Sequence, residues 1–221
     1  MPAKYPEPEH PFPAAPGTYW VYRGHVRWTK SGTDQVAEAP ITWRTEIRKV
    51  IPHGDFLGIV VNGFPFDTAW ADDHATPSDS LLVESKGRLY FVGDQRFQQA
   101  VQRLEQPSDS LDGLFSDDDL ILEWPLATGQ KFGDPSGMAR TDGHYCWVVS
   151  SLEKTALPGV RGAGSRDHDQ LVLEYWTNPD NTRFAFVPGV GITRYEYHHH
   201  GTVADTNLEL VEFHLASGGR N

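Results

Sequence analysis

Hydrophobic and polar residues alternate with a period of two along much of the chain. From Thr18 to Thr29, Trp20, Tyr22, Val26 and Trp28 take even positions, while Arg23, His25, Arg27 and Thr29 take odd ones. Successive side chains of a strand point to opposite faces, so this run predicts a half-buried strand. Ser31-Gly32-Thr33-Asp34 is turn chemistry. Beyond it, Ile41, Trp43 and Ile47 alternate with Thr42, Arg44, Glu46 and Arg48, which predicts a second long strand and a hairpin. Asp55 to Asn62 reads as a short apolar strand interrupted by Gly58. Leu81–Ser85 and Arg88–Val92 flank Lys86-Gly87, a tight hairpin signature. Leu120–Trp124, His144–Ala156, Asp169–Thr177, Arg183–Val187, Ile192–His200 and Asn207–His214 also read as strands. Val187-Pro188-Gly189-Val190 suits a type II turn, with Pro and Gly at its two corners.

Only Asp94 to Glu105 carries helical spacing, with Phe97, Val101 and Leu104 on one side and Pro107 as the stop. Phe64 to Asp73 fits either a helical turn or a loop, and residues 107–119 read as an acidic, Ser-rich loop. The expectation is a mostly β protein: a single antiparallel, strongly curved sheet, half-barrel or barrel, of nine or ten strands with one clear helix. Curvature follows because so many open edges would invite aggregation. The pattern divides the chain into a proline-rich arm over 1–16, a single β domain over 17–216 and a short tail over 217–221.

Composition narrows the function classes. The chain has 221 residues, 38% of them hydrophobic, enough to bury a sizeable core. The formal charge is −11 and no basic run occurs, so phosphate-backbone binding, and with it nucleic acid as a partner, is disfavoured. No apolar run is long enough for a membrane helix. The N-terminus lacks the apolar region of a secretory signal, so the expected location is cytoplasmic as given, or periplasmic or cell-envelope if a leader was removed. The lone Cys146 lies in an apolar run and reads as a small core residue rather than a catalytic thiol. Oligomeric state is left open.

Three short motifs carry a resemblance: Gly17-x-x-Trp20-x-Tyr22, the run from Leu122 to Gly129 (LEWPLATG), and the run from Gly189 to Glu196 (GVGITRYE). Through them, residues 13–214 resemble a diffuse group of bacterial β-rich domains, many uncharacterised and often lipoprotein-associated. The resemblance implies a shape similar to lipoprotein-carrier folds, a long curved antiparallel sheet with helices plugging one side. It supplies no catalytic residues.

Candidate chemistry falls in three places. Glu196, His198 and His200 share one face of a predicted strand. Two imidazoles and a carboxylate so spaced suit Zn²⁺ or non-haem iron, with His214 or Glu212 as a fourth ligand. The bland alternative is a solvated strand face, since Tyr195 and Tyr197 look like the core side. Asp109, Asp112, Asp117, Asp118 and Asp119 supply carboxylates, but their spacing does not match a calcium loop. The aromatic set is the third: Trp20, Tyr22, Trp28, Trp43, Trp147 and Trp176, with Tyr145, Tyr175, Phe184 and Phe186 near the later strands. In a curved sheet, such residues either fill the interior or line a cavity.

Catalysis has little support. No Gly-x-Ser-x-Gly motif occurs. The Gly-rich 162–166 segment lacks a phosphate-loop ending and is expected to join two strands, and Asp167-His168-Asp169 has no evident oxyanion site beside it. The reading is therefore a soluble, non-enzymatic binding module that holds an apolar small molecule or an acyl chain (a lipid) in an aromatic concavity. The alternatives are a metal-dependent enzyme centred on residues 196–200 and a structural or protein-interaction domain with a solid core. A divalent metal is the only cofactor left open.

Overall fold

A computed structural model describes residues 4–5, 11–157, 160–163 and 167–217. Parts of the proline-rich arm (1–3, 6–10), of the Gly-rich loop (164–166) and of the tail (218–221) lie outside the described residues. In chain order the strands are β1 (Lys4–Tyr5), β2 (Tyr19–Thr29), β3 (Val36–His53), β4 (Phe56–Asn62), β5 (Asp79–Ser85), β6 (Arg88–Val92), β7 (Leu120–Glu123), β8 (Leu126–Ala127), β9 (Lys131–Phe132), β10 (Trp147–Ala156), β11 (Asp167–Trp176), β12 (Asp180–Val187), β13 (Gly191–His199) and β14 (Ala204–His214). The helices are α1 (Asp94–Leu104) and the short α2 (Pro135–Met138), with 3₁₀ turns at Pro65–Thr68 and Asp117–Asp119.

Twelve of the strands form one sheet in the order β7-β6-β5-β4-β3-β2-β14-β13-β12-β11-β10-β9. Every pairing in it is antiparallel. The two ends of this order, β7 and β9, come into contact, so the sheet curls into a nearly closed barrel. Twelve strands correct the expected nine or ten. All eleven runs that read as strands lie in this sheet; its twelfth member, the two-residue β9, is too short to show any alternation, and β1 and β8 pair with each other in a separate two-stranded sheet. The second helix, α2, is four residues long and opens on Asp134, whose side chain accepts from the backbone N–H of Ser136 and Gly137, with Pro135 as the first helical residue.

The core lies on both faces of part of the sheet. The main cluster fills the concave side with Trp20, Tyr22, Trp43, Ile47, Ile59, Phe184, Tyr195 and Leu208 among others. A second cluster, with Ile51, Val60, Leu81 and Val83, lies on the other face of β3–β6 beneath Phe97, Ala100 and Leu104 of α1. Ile47 and Ile51 have the same parity yet belong to different clusters, because a bulge between Ile47 and Lys49 exchanges the faces. Burial on both faces accounts for the unbroken apolar runs at Ile59–Val61 and Leu81–Val83. The 107–119 segment also departs from a plain solvated loop, since Leu111 and Leu114 are buried in the second cluster.

The concave side is plugged by the connection between β4 and β5, in which Pro65–Thr68 form a 3₁₀ turn, the helical-turn alternative for this stretch, while α1 covers the opposite face. After β4 the chain turns at Gly63, whose carbonyl accepts from Trp43 Nε1 at 2.8 Å and from Thr45 Oγ1 at 2.5 Å. It then runs inward through Phe64 and Phe66 to Thr68, whose carbonyl accepts from Thr206 Oγ1 at 2.6 Å. From the other direction the N-terminal arm docks on the barrel. Lys4–Tyr5 pair with Leu126–Ala127, and Phe12 is buried with its ring stacked on Trp20 at 5.2 Å.

Candidate functional site

The residues of the predicted aromatic site separate in space. Trp20, Tyr22 and Trp43 are buried in the main cluster, and each polar hydrogen has a partner. Trp20 Nε1 donates to Val190 O at 2.6 Å and Tyr22 Oη to Ile192 O at 2.9 Å; Trp43 Nε1 donates to Gly63 O. Full burial pushes the Tyr22 phenol far above its ordinary range. Trp28 is half-buried at the far end of β2, opposite Ala37 and Ala204. Trp176 is partly exposed and its Nε1 donates to Glu174 Oε2 at 3.3 Å. Of that set, Trp147 lines a recess bordered by five aromatic rings.

This recess has a volume of about 280 Å³ and is open to solvent. It lies where the curling sheet brings β6 and β7 opposite β10–β13. Its wall includes Phe66, Phe91, Ile121, Trp147, Tyr175 and Tyr195. Phe66 is the hub: its ring centroid lies 5.2 Å from Phe91, 6.2 Å from Trp147, 5.8 Å from Phe184 and 5.4 Å from Tyr195. Trp147 in turn lies 5.1 Å from both Tyr175 and Phe184. Phe66 and Trp147 are stacked and the other contacts are edge-on or tilted, arrangements that aromatic pairs favour. The polar part of the wall is Thr182, Asp118 and Asp119. Burial first, and then the Asp118 carboxylate, raise the Tyr175 phenol; burial holds Tyr195 far above its usual value. Both phenols therefore stay neutral at ordinary pH.

Phe66 and Phe91 are the residues that sequence reasoning missed. Phe66 falls in the Phe64–Asp73 stretch, where no periodicity decides between turn and loop. The signal available was two phenylalanines around a proline in a connection between strands, an apolar loop with a reason to be buried.

The acidic stretch is spread out and mostly paired. Asp109 accepts from Arg103 Nε at 2.9 Å and Nη2 at 2.6 Å, and from the Leu111 N–H at 2.8 Å, which hold its carboxyl down at about 2. Asp119 is ion-paired with Arg96 and accepts from the Ser116 N–H at 3.0 Å. Asp117 lies 3.7 Å from Arg88, and Asp112 accepts from Ser110 Oγ at 2.8 Å. Asp118 makes no hydrogen bond or ion pair among the described residues.

Glu196 and His198 lie on the other face of β13, whereas His200 follows the last residue of that strand and does not share its face, against the expectation. Glu196 is paired with Arg183 at 3.4 Å and with Arg194 at 3.3 Å. His198 Nδ1 engages Asp205 across the β13–β14 pair, and its ring meets that of His200 edge-on at 4.6 Å. Trp176, Arg183, Glu196 and His198 share a shallow second recess of about 290 Å³. The strand register sets the fourth-ligand idea aside: Asp205 faces His198, whereas Glu212 and His214 pair with Val21 and Tyr19 at the opposite end of β2. Glu212 is engaged by Arg161 and by Tyr19 Oη. Among the described residues no three His, Cys, Asp or Glu side chains converge as a metal would require.

Cys146 is fully buried, and burial raises its thiol. His168 is buried on β11, while Asp169 pairs with Lys154 at 2.5 Å rather than with the imidazole.

The first and third of the motifs behind the family resemblance meet in space. Trp20 and Tyr22 of the first motif donate to the backbone of Val190 and Ile192 in the third. Gly191 leaves room for this, since a Cβ there would lie 3.2 Å from Phe12 and 3.3 Å from Trp20 Nε1. Their role is to fasten the barrel.

No protein-family model matches the chain, and no curated protein matches it. Two solved structures are similar in fold. One, provisionally named an exported protein with YmcC-like fold, is from Bacteroides fragilis NCTC 9343; it shares 13% identity over 93% of this chain and 99% of its own, with a TM-score of 0.45. The other, provisionally named a lipoprotein, is from Parabacteroides distasonis ATCC 8503; it shares 11% identity over 93% of this chain and 98% of its own, with a TM-score of 0.43. Among the described residues no helix is long and apolar enough to cross a membrane. Both solved structures are of bacterial proteins, one described as exported and the other as a lipoprotein.

Proposed function

We propose that the protein is a non-enzymatic binding module that takes a small, largely apolar molecule into the recess around Phe66. The observation that carries this reading is the recess itself. Five aromatic rings, Phe66, Phe91, Trp147, Tyr175 and Tyr195, border an open space of about 280 Å³ beside a few polar groups. A mostly apolar wall with a few fixed polar groups is the usual form of a small-molecule site. The space equals about nine water volumes, taking about 30 Å³ for each. That suits a compact molecule, or one end of a larger one, better than a whole acyl chain. Among the described residues no nucleophile–base pair borders it, which supports binding rather than turnover.

The test is native mass spectrometry of the full chain, purified without a metal-affinity step and compared with its denatured mass. The expected result is a small-molecule mass that leaves on denaturation and is lost in Phe66→Ala, a partly buried position whose truncation opens the wall. A bare native mass would count against the reading and favour a solid-core interaction domain. An extra mass equal to one divalent metal would redirect attention to Glu196, His198 and His200.

A further inference from the structure

The recess has a sign of charge as well as a shape. Of its two carboxylates, Asp119 is committed to Arg96, which leaves Asp118 as the free anion on the wall. Arg96 also lies in the field of Asp118, but one guanidinium against two carboxylates leaves the group net negative. Among the described residues no Lys or Arg lines the space. Asp134 also acts on the Tyr175 phenol. An anionic head, carboxylate or phosphate, would meet Asp118 with no basic partner lining the recess. A cation would meet the opposite: aromatic faces carry negative potential and attract ammonium groups within about 6 Å.

We infer that the ligand of this recess is a small organic cation, a quaternary or protonated amine seated against the faces of Phe66, Trp147 and Tyr175 with Asp118 as its counter-ion. The inference rests on the recess reading above and adds the chemical class of its occupant. Phe66 stacks on Trp147 at 6.2 Å, Trp147 meets Tyr175 at 5.1 Å, the Tyr175 phenol lies in the field of Asp118, and the neutral phenols add no competing charge.

The experiment is isothermal titration of the full chain with two probes of one shape. Choline carries a trimethylammonium group; 3,3-dimethylbutan-1-ol replaces its nitrogen with carbon and has no charge. Choline is expected to bind about tenfold more tightly than the alcohol. Asp118→Asn, at an exposed position that leaves packing intact, should weaken choline about threefold and leave the alcohol unchanged. Phe66→Leu keeps apolar bulk and removes the ring face, so it should lower the choline-to-alcohol ratio, with the melting curve confirming the fold. Equal binding of the two probes to the unaltered protein overturns the cation inference while leaving the recess reading in place. An unchanged ratio in both variants also overturns it, because binding would then lie elsewhere. Binding of neither probe at up to about 10 mM overturns the cation inference together with the recess reading.

Discussion

Trp20, Tyr22 and Trp43 each bury a ring and a polar hydrogen together, and each hydrogen reaches a backbone carbonyl. Such residues specify geometry as well as fill volume, because truncation removes a side-chain donor from a buried carbonyl, although Gly63 O would keep Thr45 Oγ1. Trp20→Ala and Trp43→Ala should therefore each cost about 3–5 kcal/mol of folding stability, read as a shift in the urea midpoint. Trp147→Ala removes a wall of the recess and is expected to weaken ligand binding more than either. Equal loss of ligand in all three variants, scaled to their instability, would show that the recess has no special role. At this scale the sequence was informative about burial and silent about purpose. A tryptophan on the apolar side of a strand looks the same whether its edge meets a carbonyl or an open space.

At the scale of elements, the 107–119 segment shows how charge organises a connection. Arg103 on α1 holds Asp109, and Arg96 on the same helix holds Asp119, so two ion pairs fasten the segment to the helix. Between them Leu111 and Leu114 are buried. The Asp109 carboxyl sits at about 2, chiefly through its hydrogen bonds from Arg103. An unfolded aspartate titrates near 3.9. Because the folded value is the lower one, the stabilisation is fully present above the unfolded value and is lost as pH falls through about 2. Thermal melts between about pH 5 and pH 2 should therefore steepen in their pH dependence for the unaltered chain relative to Asp109→Asn. Parallel curves would remove Asp109 from the acid response. The run of acidic residues was visible in the sequence; that arginines from an amphipathic helix would face it depended on how α1 lies across β5.

For the whole molecule, the decisive event is the curling of the sheet until β7 and β9 meet. The N-terminal arm takes part in it: Phe12 stacks on Trp20, and the Gly189 N–H donates to Pro11 O at 3.0 Å. Phe12→Ala should lower stability by about 3 kcal/mol or more, a loss no flexible leader would produce. In hydrogen exchange, the amides of β2, β13 and β14, central in the sheet order, should protect longest, and those of the short edge strand β9 should exchange first. Uniform protection from β9 to β14 would mean that the barrel opens only as a unit.

What the sequence determined by itself was local: which residues alternate, where turns interrupt them, and that the chain is an antiparallel β protein with a helix near residues 94–105. Those features depend on the two-residue period of a strand and on turn chemistry, both of which act over a few residues. Tertiary structure decided the number of strands, the exchange of faces at the bulge after Ile47, and the inward path of the Phe64–Thr68 loop. It also decided which aromatic rings border the open recess. Phe66, Phe91, Trp147 and Tyr195 are separated by up to 129 residues along the chain, and only closure of the sheet brings their rings together. No local pattern encodes a distance of that kind.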